Sequence, residues 1–200
     1  RYESSAASDV YKRQMLPSCT NLSLFLLALG PASSLLRAGG RHLTDTKGSP
    51  LCEQLTAIVG SAGFLEGEDI ERRNFKDWMG ARAIRPPLLL RPDSTSQVSQ
   101  ILALCHAEKQ PIAPQGGMTG LVSAAAPLEG EIALSLERMK SVIEVDPVTA
   151  TMTVEAGVEL QTIQEQADAH GLLFPLDLGA RGSCTIGGNL STNAGGNRVI

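Results

Sequence analysis

Residues 174–196 read FPLDLGARGSCTIGGNLSTNAGG, and this stretch, the second glycine segment below, decides which fold the chain can adopt. A flexible linker needs no apolar side chains, but four are spaced along this stretch: Leu176, Leu178, Ile186 and Leu190. Its six glycines permit positive φ angles and let a ligand approach the backbone closely. Neutral polar side chains between them offer hydrogen-bond donors and acceptors: Ser183, Thr185, Asn189, Ser191, Thr192 and Asn193. The combination is typical of a segment that wraps a large phosphorylated ligand.

The region before this stretch predicts a helix followed by a strand–helix–strand unit. Apolar residues at helical spacing predict a helix over 51–59 that ends at Gly60. Residues 88–91 predict a buried strand, and apolar residues at i, i+3, i+4 and i+7 predict the next helix: Val98, Ile101, Leu102 and Cys105. Residues 112–114 return as a strand. We therefore expect a right-handed βαβ unit in which 88–91 and 112–114 are neighbouring parallel strands.

A shorter glycine-rich turn, residues 115–120 or QGGMTG, follows that strand and is called the first glycine loop below. It is neither a P-loop, because no Gly-Lys-Ser/Thr follows, nor a Rossmann fingerprint, because no GxGxxG opens a helix. Residues 142–145 and 151–155 alternate around a turn and predict an antiparallel pair in a second sheet. Apolar spacing from Leu160 to Ala167 predicts a helix that ends near Gly171.

Composition narrows the class of protein. The net charge of −4 gives no electrostatic case for a nucleic acid or an anionic membrane as partner. The four cysteines and three histidines are scattered without CxxC spacing, so we predict no metal site and reduced, intracellular thiols. Trp78 is interpreted as an anchor in the core or at a domain seam, and Cys184 as a packing residue.

Both ends of the chain require separate interpretation. Residues 1–14 look like translated read-through of a sequencing adaptor and are excluded from the predicted fold. Residues 15–48 are either a leader or a disordered tail, and their apolar run at 22–29 is too short to span a bilayer. We expect residues 49–200 to form one incomplete domain, because 199–200 begin a further element. The expected location is the cytoplasm, or the mitochondrial matrix if the source is eukaryotic.

Five stretches together resemble a known family: residues 114–122, 144–147, 153–158, 174–179 and 182–196. They are similar to the FAD-binding domain of the vanillyl-alcohol-oxidase superfamily, the p-cresol-methylhydroxylase (PCMH) type. Within that superfamily they most resemble the FAD-linked 2-hydroxy-acid dehydrogenases, which include D-2-hydroxyglutarate dehydrogenase, D-lactate dehydrogenase and the flavin subunit of glycolate oxidase. The sequence GGMTGLV at residues 116–122 favours the hydroxyglutarate-like branch. The resemblance extends over roughly residues 51–200.

The resemblance implies an α+β fold in which two α/β subdomains clamp FAD, here truncated before a substrate cap domain. The first glycine loop would hold the pyrophosphate, and the second segment the ribityl chain and the isoalloxazine ring. The first set of implied cofactor-binding residues is Pro114, Gln115, Gly116, Gly117, Met118, Thr119, Gly120 and Leu121. The second set is Pro175, Leu178, Gly179, Ser183, Thr185, Gly187, Gly188, Asn189, Ser191, Thr192, Asn193 and Gly195. Covalent relatives carry a histidine where Thr119 stands, so the FAD is expected to be non-covalent.

The resemblance also implies the reaction. A D-2-hydroxy acid such as D-2-hydroxyglutarate, D-lactate or glycolate would pass the hydride of its Cα to FAD and become a 2-oxo acid. The catalytic base, the substrate arginine and any metal ligands would lie beyond Ile200. The implied partners are an electron acceptor such as electron-transfer flavoprotein or quinone, and a second copy in a homodimer. Two alternatives remain: a flavin-binding fragment or subunit without independent catalysis, and a non-redox flavin enzyme of the alkylglycerone-phosphate-synthase type.

Overall fold

The computed structural model describes residues 49–76, 78–80 and 83–196. The interpretations of residues 1–14, 15–48 and 199–200 therefore lie outside the described part of the chain. Helix α1 (Pro50–Val59) opens the described region, with a proline in its first turn and Cys52, Leu55 and Val59 buried. It ends as predicted at Gly60, whose φ of 68° would strain any other residue.

A four-stranded sheet forms the first layer of the fold. Its strands are β1 (Phe64–Glu66), β2 (Leu88–Leu90), β3 (Ile112–Gln115) and β4 (Ile132–Ser135). Their order across the sheet is β1-β2-β4-β3; β1 is antiparallel to β2, and the other three strands are mutually parallel. The carboxyl ends of β2, β3 and β4 therefore lie at the same edge of the sheet. The first glycine loop begins at this edge, at the end of β3.

The prediction that β2 and β3 are neighbours is wrong, because β4 lies between them. All four residues of β4 are buried, as a strand covered on both faces requires, so it takes the interior position. β3 contains Pro114, which has no N–H to donate to a ladder and is tolerated at a sheet edge. The two strands are nevertheless parallel within one sheet, joined through helix α2 (Thr95–Ala107).

Helix α2 forms as its sequence predicts. The hydroxyl of Ser94 accepts a hydrogen bond from the N–H of Gln97 at 3.4 Å and so caps the amino end. Val98, Ile101 and Cys105 are buried on one face. Burial raises the pKa of the Cys105 thiol to about 12, so this group stays protonated and unreactive at neutral pH.

The second layer is the antiparallel pair predicted from the sequence. Strands β5 (Val142–Asp146) and β6 (Thr151–Val154) form a sheet separate from the first. The turn between them is held by Asp146, whose Oδ2 accepts from the hydroxyl of Thr149 at 2.7 Å. Helix α3 (Leu160–Ala169) follows, and Gly171 with a φ of 71° comes directly after its end. The two pairs of strands therefore do not form one continuous sheet.

Helix α4 (Ile186–Ser191) lies inside the second glycine segment, which the sequence pattern predicts as a loop. Two consecutive glycines disfavour a helix in isolation. Here the N–H groups of Ile186 and Gly187 donate to the carbonyls of Val158 and Ala156, each at 2.9 Å. Ile186 also packs in a buried cluster with Val158. Tertiary contacts thus impose the helix on a sequence with weak helical preference.

Trp78 is 66% exposed, so its interpretation as an anchor in the core is wrong, and the alternative position at a domain seam stays a prediction. The nearby aromatic residue Phe75 is the one that packs in the core, in a buried hydrophobic cluster with Ile70, Leu89 and Ala133. Arg85 lies over the ring of Phe75 at 4.9 Å. Among the described residues, no helix is long and apolar enough to span a membrane.

Candidate cofactor-binding site

The first glycine loop contacts the second glycine segment directly. At Gly116, an added Cβ would clash with the hydroxyl oxygen of Thr185 and would lie 3.8 Å from the Cα of Gly188. At Gly117, a Cβ would overlap the carbonyl oxygen of Ser183 and lie 2.9 Å from the Cα of Cys184. Only glycine allows the two backbones to approach so closely. The structure therefore joins two stretches that are more than sixty residues apart into one surface.

This contact changes the expected geometry of a bound cofactor. A clamp with the ligand between the two segments needs a gap, and at Gly116 and Gly117 there is none. A ligand between the two segments is therefore excluded at these two positions. Gly120 and Gly179 show where space is available, because a Cβ built at either position meets no heavy atom within 4 Å. Neither glycine has a positive φ.

The contact between the two glycine segments, at Gly116 and Gly117 on one side and Ser183 to Thr185 on the other, is called the seam below. Its unusual group is the hydroxyl of Thr185. Its Oγ1 atom is buried between Gly116 and Gly188 and has no hydrogen-bond partner among the described residues. Thr185 itself is 7% exposed. An unpaired buried hydroxyl costs about 1–3 kcal/mol, so a native structure that keeps one has a reason to do so. A ligand oxygen brought to the seam would supply the missing partner.

The second glycine segment is held from behind by the end of the second sheet and the start of α3. The carbonyl of Cys184 accepts from the N–H of Leu160 at 3.1 Å. Gly187 lies so close to Ala156 that an added Cβ would be 2.8 Å from its carbonyl oxygen and from its Cβ. At the far end, a Cβ on Gly196 would overlap the carbonyl oxygen of Asp177. The path of the segment is therefore fixed by protein contacts.

Several predicted polar ligands already donate hydrogen bonds within the protein. Ser191 and Thr192 donate their hydroxyls to the carbonyls of Gly187 and Gly188, at 2.7 and 2.9 Å. The amide of Asn189 is buried and donates to the sulfur of Cys184 at 3.7 Å, which agrees with a packing role for that cysteine. These hydrogens are not available to a phosphate.

The remaining predicted residues divide by exposure. Half-buried positions are Pro114, Gly116, Gly117, Met118, Thr119, Pro175, Leu178, Gly187 and Gly188. Exposed positions are Gly120, Leu121, Gly179, Ser183, Ser191, Thr192, Asn193 and Gly195. Gln115 is buried at 2% exposure and its side chain is fully engaged with the protein.

The described residues offer little chemistry beyond binding. Among them, no three His, Cys, Asp or Glu side chains come together in a way that could hold a metal ion. Neither His106 nor His170 belongs to a glycine segment; His170 lies at the end of α3, with Nδ1 2.8 Å from the carbonyl oxygen of Gln166. Arg181, in the second segment, is exposed.

Comparison with known proteins identifies the class. Residues 86–200, more than half of the chain, match the family model described as "FAD binding domain". The chain therefore belongs to the FAD binding domain family, and its cofactor is FAD. A dissociable, non-covalent flavin stays a prediction.

Curated relatives and solved structures agree with this family. A rice (Oryza sativa subsp. indica) protein named "Probable D-2-hydroxyglutarate dehydrogenase, mitochondrial" is 44% identical over 144 residues, 72% of this chain and 26% of the rice protein. The D-2-hydroxyglutarate dehydrogenase, mitochondrial, of Bos taurus is 38% identical over 146 residues, 73% of this chain and 27% of the bovine protein. The chain thus spans about a quarter of the length of these curated relatives.

Two solved structures share the fold at low identity. An alkyldihydroxyacetonephosphate synthase matches with a TM-score of 0.65 and 21% identity, covering 73% of this chain and 32% of that chain. A p-cresol methylhydroxylase with substrate bound matches with a TM-score of 0.57 and 23% identity, covering 70% of this chain and 28% of that chain. The predicted α+β, PCMH-type fold is confirmed.

Proposed function

We propose that this chain supplies the FAD-binding part of an enzyme that oxidises a D-2-hydroxy acid to the corresponding 2-oxo acid. The observation that carries the proposal is the seam at Gly116 and Thr185, where two glycine-rich backbones meet around an unpaired buried hydroxyl. The names of the rice and bovine relatives supply the substrate class. The proposed domain is residues 49–200, with the substrate cap outside this chain.

The residues at the seam fit FAD. The Thr185 hydroxyl lacks a partner, and a pyrophosphate oxygen is a strong acceptor for it. A Cβ at Gly120 or Gly179 would meet no heavy atom within 4 Å, so a ligand can approach the backbone at both positions. When bound, FAD supplies the acceptor for the hydride of the substrate carbon. The chain's own residues bind the cofactor, orient it and keep water from its buried side.

The chain contributes orientation rather than proton transfer in this proposal. A hydroxy-acid site needs a cation for the carboxylate and a base near the hydroxyl. The second glycine segment carries one cation, Arg181, and neither glycine segment contains a histidine. We therefore assign the catalytic base and the main substrate contacts to the cap, beyond Ile200.

The substrate within the class is proposed to be D-2-hydroxyglutarate, ahead of D-lactate and glycolate, because both relatives described above bear that name. We further propose an electron-transfer flavoprotein or quinone as electron acceptor and a homodimer as assembly. Both relatives are named as mitochondrial, which supports a mitochondrial matrix location if the source is eukaryotic.

Anaerobic reduction of the bound flavin tests the proposal. The FAD-loaded chain and the complete enzyme that contains it would each receive D-2-hydroxyglutarate, D-lactate and glycolate, while the flavin absorbance band is followed. We expect D-2-hydroxyglutarate to bleach the band in the complete enzyme and no acid to bleach it in the chain alone. Bleaching in the chain alone would place the substrate site within these residues.

The same experiment separates the two alternatives. A flavin-binding subunit without catalysis of its own would show no bleaching with any acid in either preparation, although dithionite would still reduce the flavin. A non-redox enzyme of the alkylglycerone-phosphate-synthase type would give the same result with the hydroxy acids. It would be distinguished by turnover of an acylated glycerone phosphate. The likeness to a solved synthase supports this alternative at the level of the fold alone.

A further inference from the structure

Gln115 joins three separate parts of the chain through one buried amide. It is the last residue of β3 and is 2% exposed. Its Nε2 donates to the carbonyl of Asn74 at 2.7 Å and to the carbonyl of Ala125 at 3.0 Å, which uses both amide hydrogens. Its Oε1 lies 3.5 Å from the Nδ2 of Asn74, which donates to it. The side chain therefore has no hydrogen left for a ligand.

The hydrogen bond from Gln115 to Ala125 connects the two ends of residues 115–125, which contain the first glycine loop. Within the enclosed stretch, Met118 and Ser123 have φ angles of 56° and 55°. The left-handed region costs a residue with a side chain about 1–2 kcal/mol, and such strain persists only where the surroundings hold it. Residues 115–125, which contain the first glycine loop, are therefore a strained segment whose two ends are joined by the side chain of Gln115.

The bond to Asn74 ties the loop to a rigid part of the molecule. Asn74 is 3% exposed and ends a short 3-10 turn, Arg72–Asn74. Next to it, Arg73 forms an ion pair with Glu137 at 2.6 Å, just beyond the end of β4. On the other side, Phe75 packs in the hydrophobic cluster against the first sheet. Movement of the loop would have to break contacts with this anchored turn.

We propose that Gln115 is a positioning residue: its amide holds the first glycine loop in the conformation that binds FAD, and it does not itself contact the cofactor. The inference rests on the proposed role of that loop in FAD binding. It replaces the prediction of Gln115 as a direct ligand with a role through Asn74 and Ala125. FAD affinity should therefore depend on a side chain that the cofactor never touches.

The chain contains a control glutamine two residues before the start of the same strand. Gln110 is 5% exposed, and its Nε2 donates to the carbonyls of Pro111 at 3.0 Å and Gly130 at 2.8 Å. It has the same residue type, similar burial and the same number of donated hydrogen bonds. It differs in that Gln110 lies outside both glycine segments, and in that its Oε1 is buried without a partner among the described residues, whereas the Oε1 of Gln115 accepts from Asn74.

The test compares Gln115→Met with Gln110→Met in the full chain. Each substitution preserves side-chain length and leaves two carbonyls without their donor, so both apoproteins should lose thermal stability. Gln115→Met should lose more, because it also leaves the Nδ2 of Asn74 without its acceptor. FAD affinity, measured by quenching of flavin fluorescence, should fall about tenfold in Gln115→Met, the equivalent of about 1.4 kcal/mol, and less than about threefold in Gln110→Met. Amide hydrogen exchange over residues 116–125 should accelerate in Gln115→Met alone.

A second pair of variants keeps the test decisive if Gln115→Met does not fold. In Gln115→Glu, an ionised carboxylate has no hydrogen to donate, whereas a protonated one has a single donor. Its FAD affinity should therefore recover as the pH falls from about 8 to about 5, while Gln110→Glu should follow the wild-type pH dependence. Equal losses of affinity at the two glutamines, or unchanged affinity in the Gln115 variants, would overturn the inference. Failure of the wild-type chain to bind FAD would instead overturn the proposed function.

Discussion

The hydroxyl oxygen of Thr185 lies so close to Gly116 that a Cβ on Gly116 would clash with it. This relationship joins the end of a strand in the first sheet to a helix cap beyond the second sheet. It also leaves the hydroxyl buried without a partner among the described residues. The fold is thus arranged around a seam that satisfies backbone packing but not hydrogen bonding, as expected where a ligand completes the structure.

Thr185→Val should move stability and cofactor affinity in opposite directions. Valine matches the shape of threonine and removes the unpaired hydroxyl, so the apoprotein should gain up to about 1 kcal/mol. FAD binding should weaken by about tenfold, because the partner of the phosphate is lost. Thermal unfolding without FAD and a fluorescence titration with FAD measure the two effects. Thr185→Ser, which keeps the hydroxyl, is the control, and a Thr185→Val variant with wild-type affinity would contradict this role.

Gly117→Val should destabilise the protein even in the absence of FAD. The sequence suggests that the valine would collide with the pyrophosphate, whereas the structure shows that it would first collide with the carbonyl of Ser183. Overpacking of this kind typically costs about 1–3 kcal/mol. The apoprotein melting temperature should therefore fall by several degrees. An unchanged apoprotein with weakened FAD binding would support a collision with the pyrophosphate instead.

The Cys105 thiol should be unreactive toward iodoacetamide in the folded protein at about pH 8, since burial raises its pKa to about 12. The raised pKa of Cys105 also makes the free energy of unfolding depend on pH. The thiol is neutral in both states below the unfolded pKa of about 9, so its contribution is fully present there. Above that pH only the unfolded state ionises, and stability should decline until the folded pKa is reached. Mass spectrometry of labelled peptides would contradict this if Cys105 were modified as fast as in denaturant.

The flavin should be released on denaturation. Thr119 stands where covalent relatives of the family have a histidine, so no side chain in that position can form the bond. Acid precipitation of the FAD-loaded protein should leave the yellow chromophore in the supernatant. Colour that remains with the pellet would show a covalent link elsewhere in the chain.

The sequence predicted most elements of the fold for physical reasons that the structure makes clear. Helices α1, α2 and α3 have one apolar face each, and the second sheet alternates around a turn, so local pattern was sufficient. The order of the first sheet was predicted wrongly although Pro114 carried the signal for an edge strand. Strand β1 was missed because three residues between glycines give too short a pattern to recognise.

The site was only partly predictable for a different reason. Glycine content marked both segments, but the contact between Gly117 and Ser183 joins residues far apart in sequence, and local pattern carries no such information. The role of Asn74 was likewise invisible, because its carbonyl bonds to a side chain forty-one residues away. Helix α4 depends on hydrogen bonds that its first N–H groups donate to the carbonyls of Ala156 and Val158, which its own sequence does not reveal.

The most direct test of the account is FAD binding to Gly120→Ala and Gly179→Ala, compared with the wild-type chain. An added Cβ meets no protein atom at either position and neither φ is positive, so the apoprotein stability should stay within about 0.5 kcal/mol of wild type. If FAD lies along the joined glycine segments, it needs that open space. Each variant should then bind FAD about tenfold or more weakly in a fluorescence titration. Wild-type affinity in both variants, or no saturable binding by the wild-type chain, would contradict the proposal that these segments hold the cofactor.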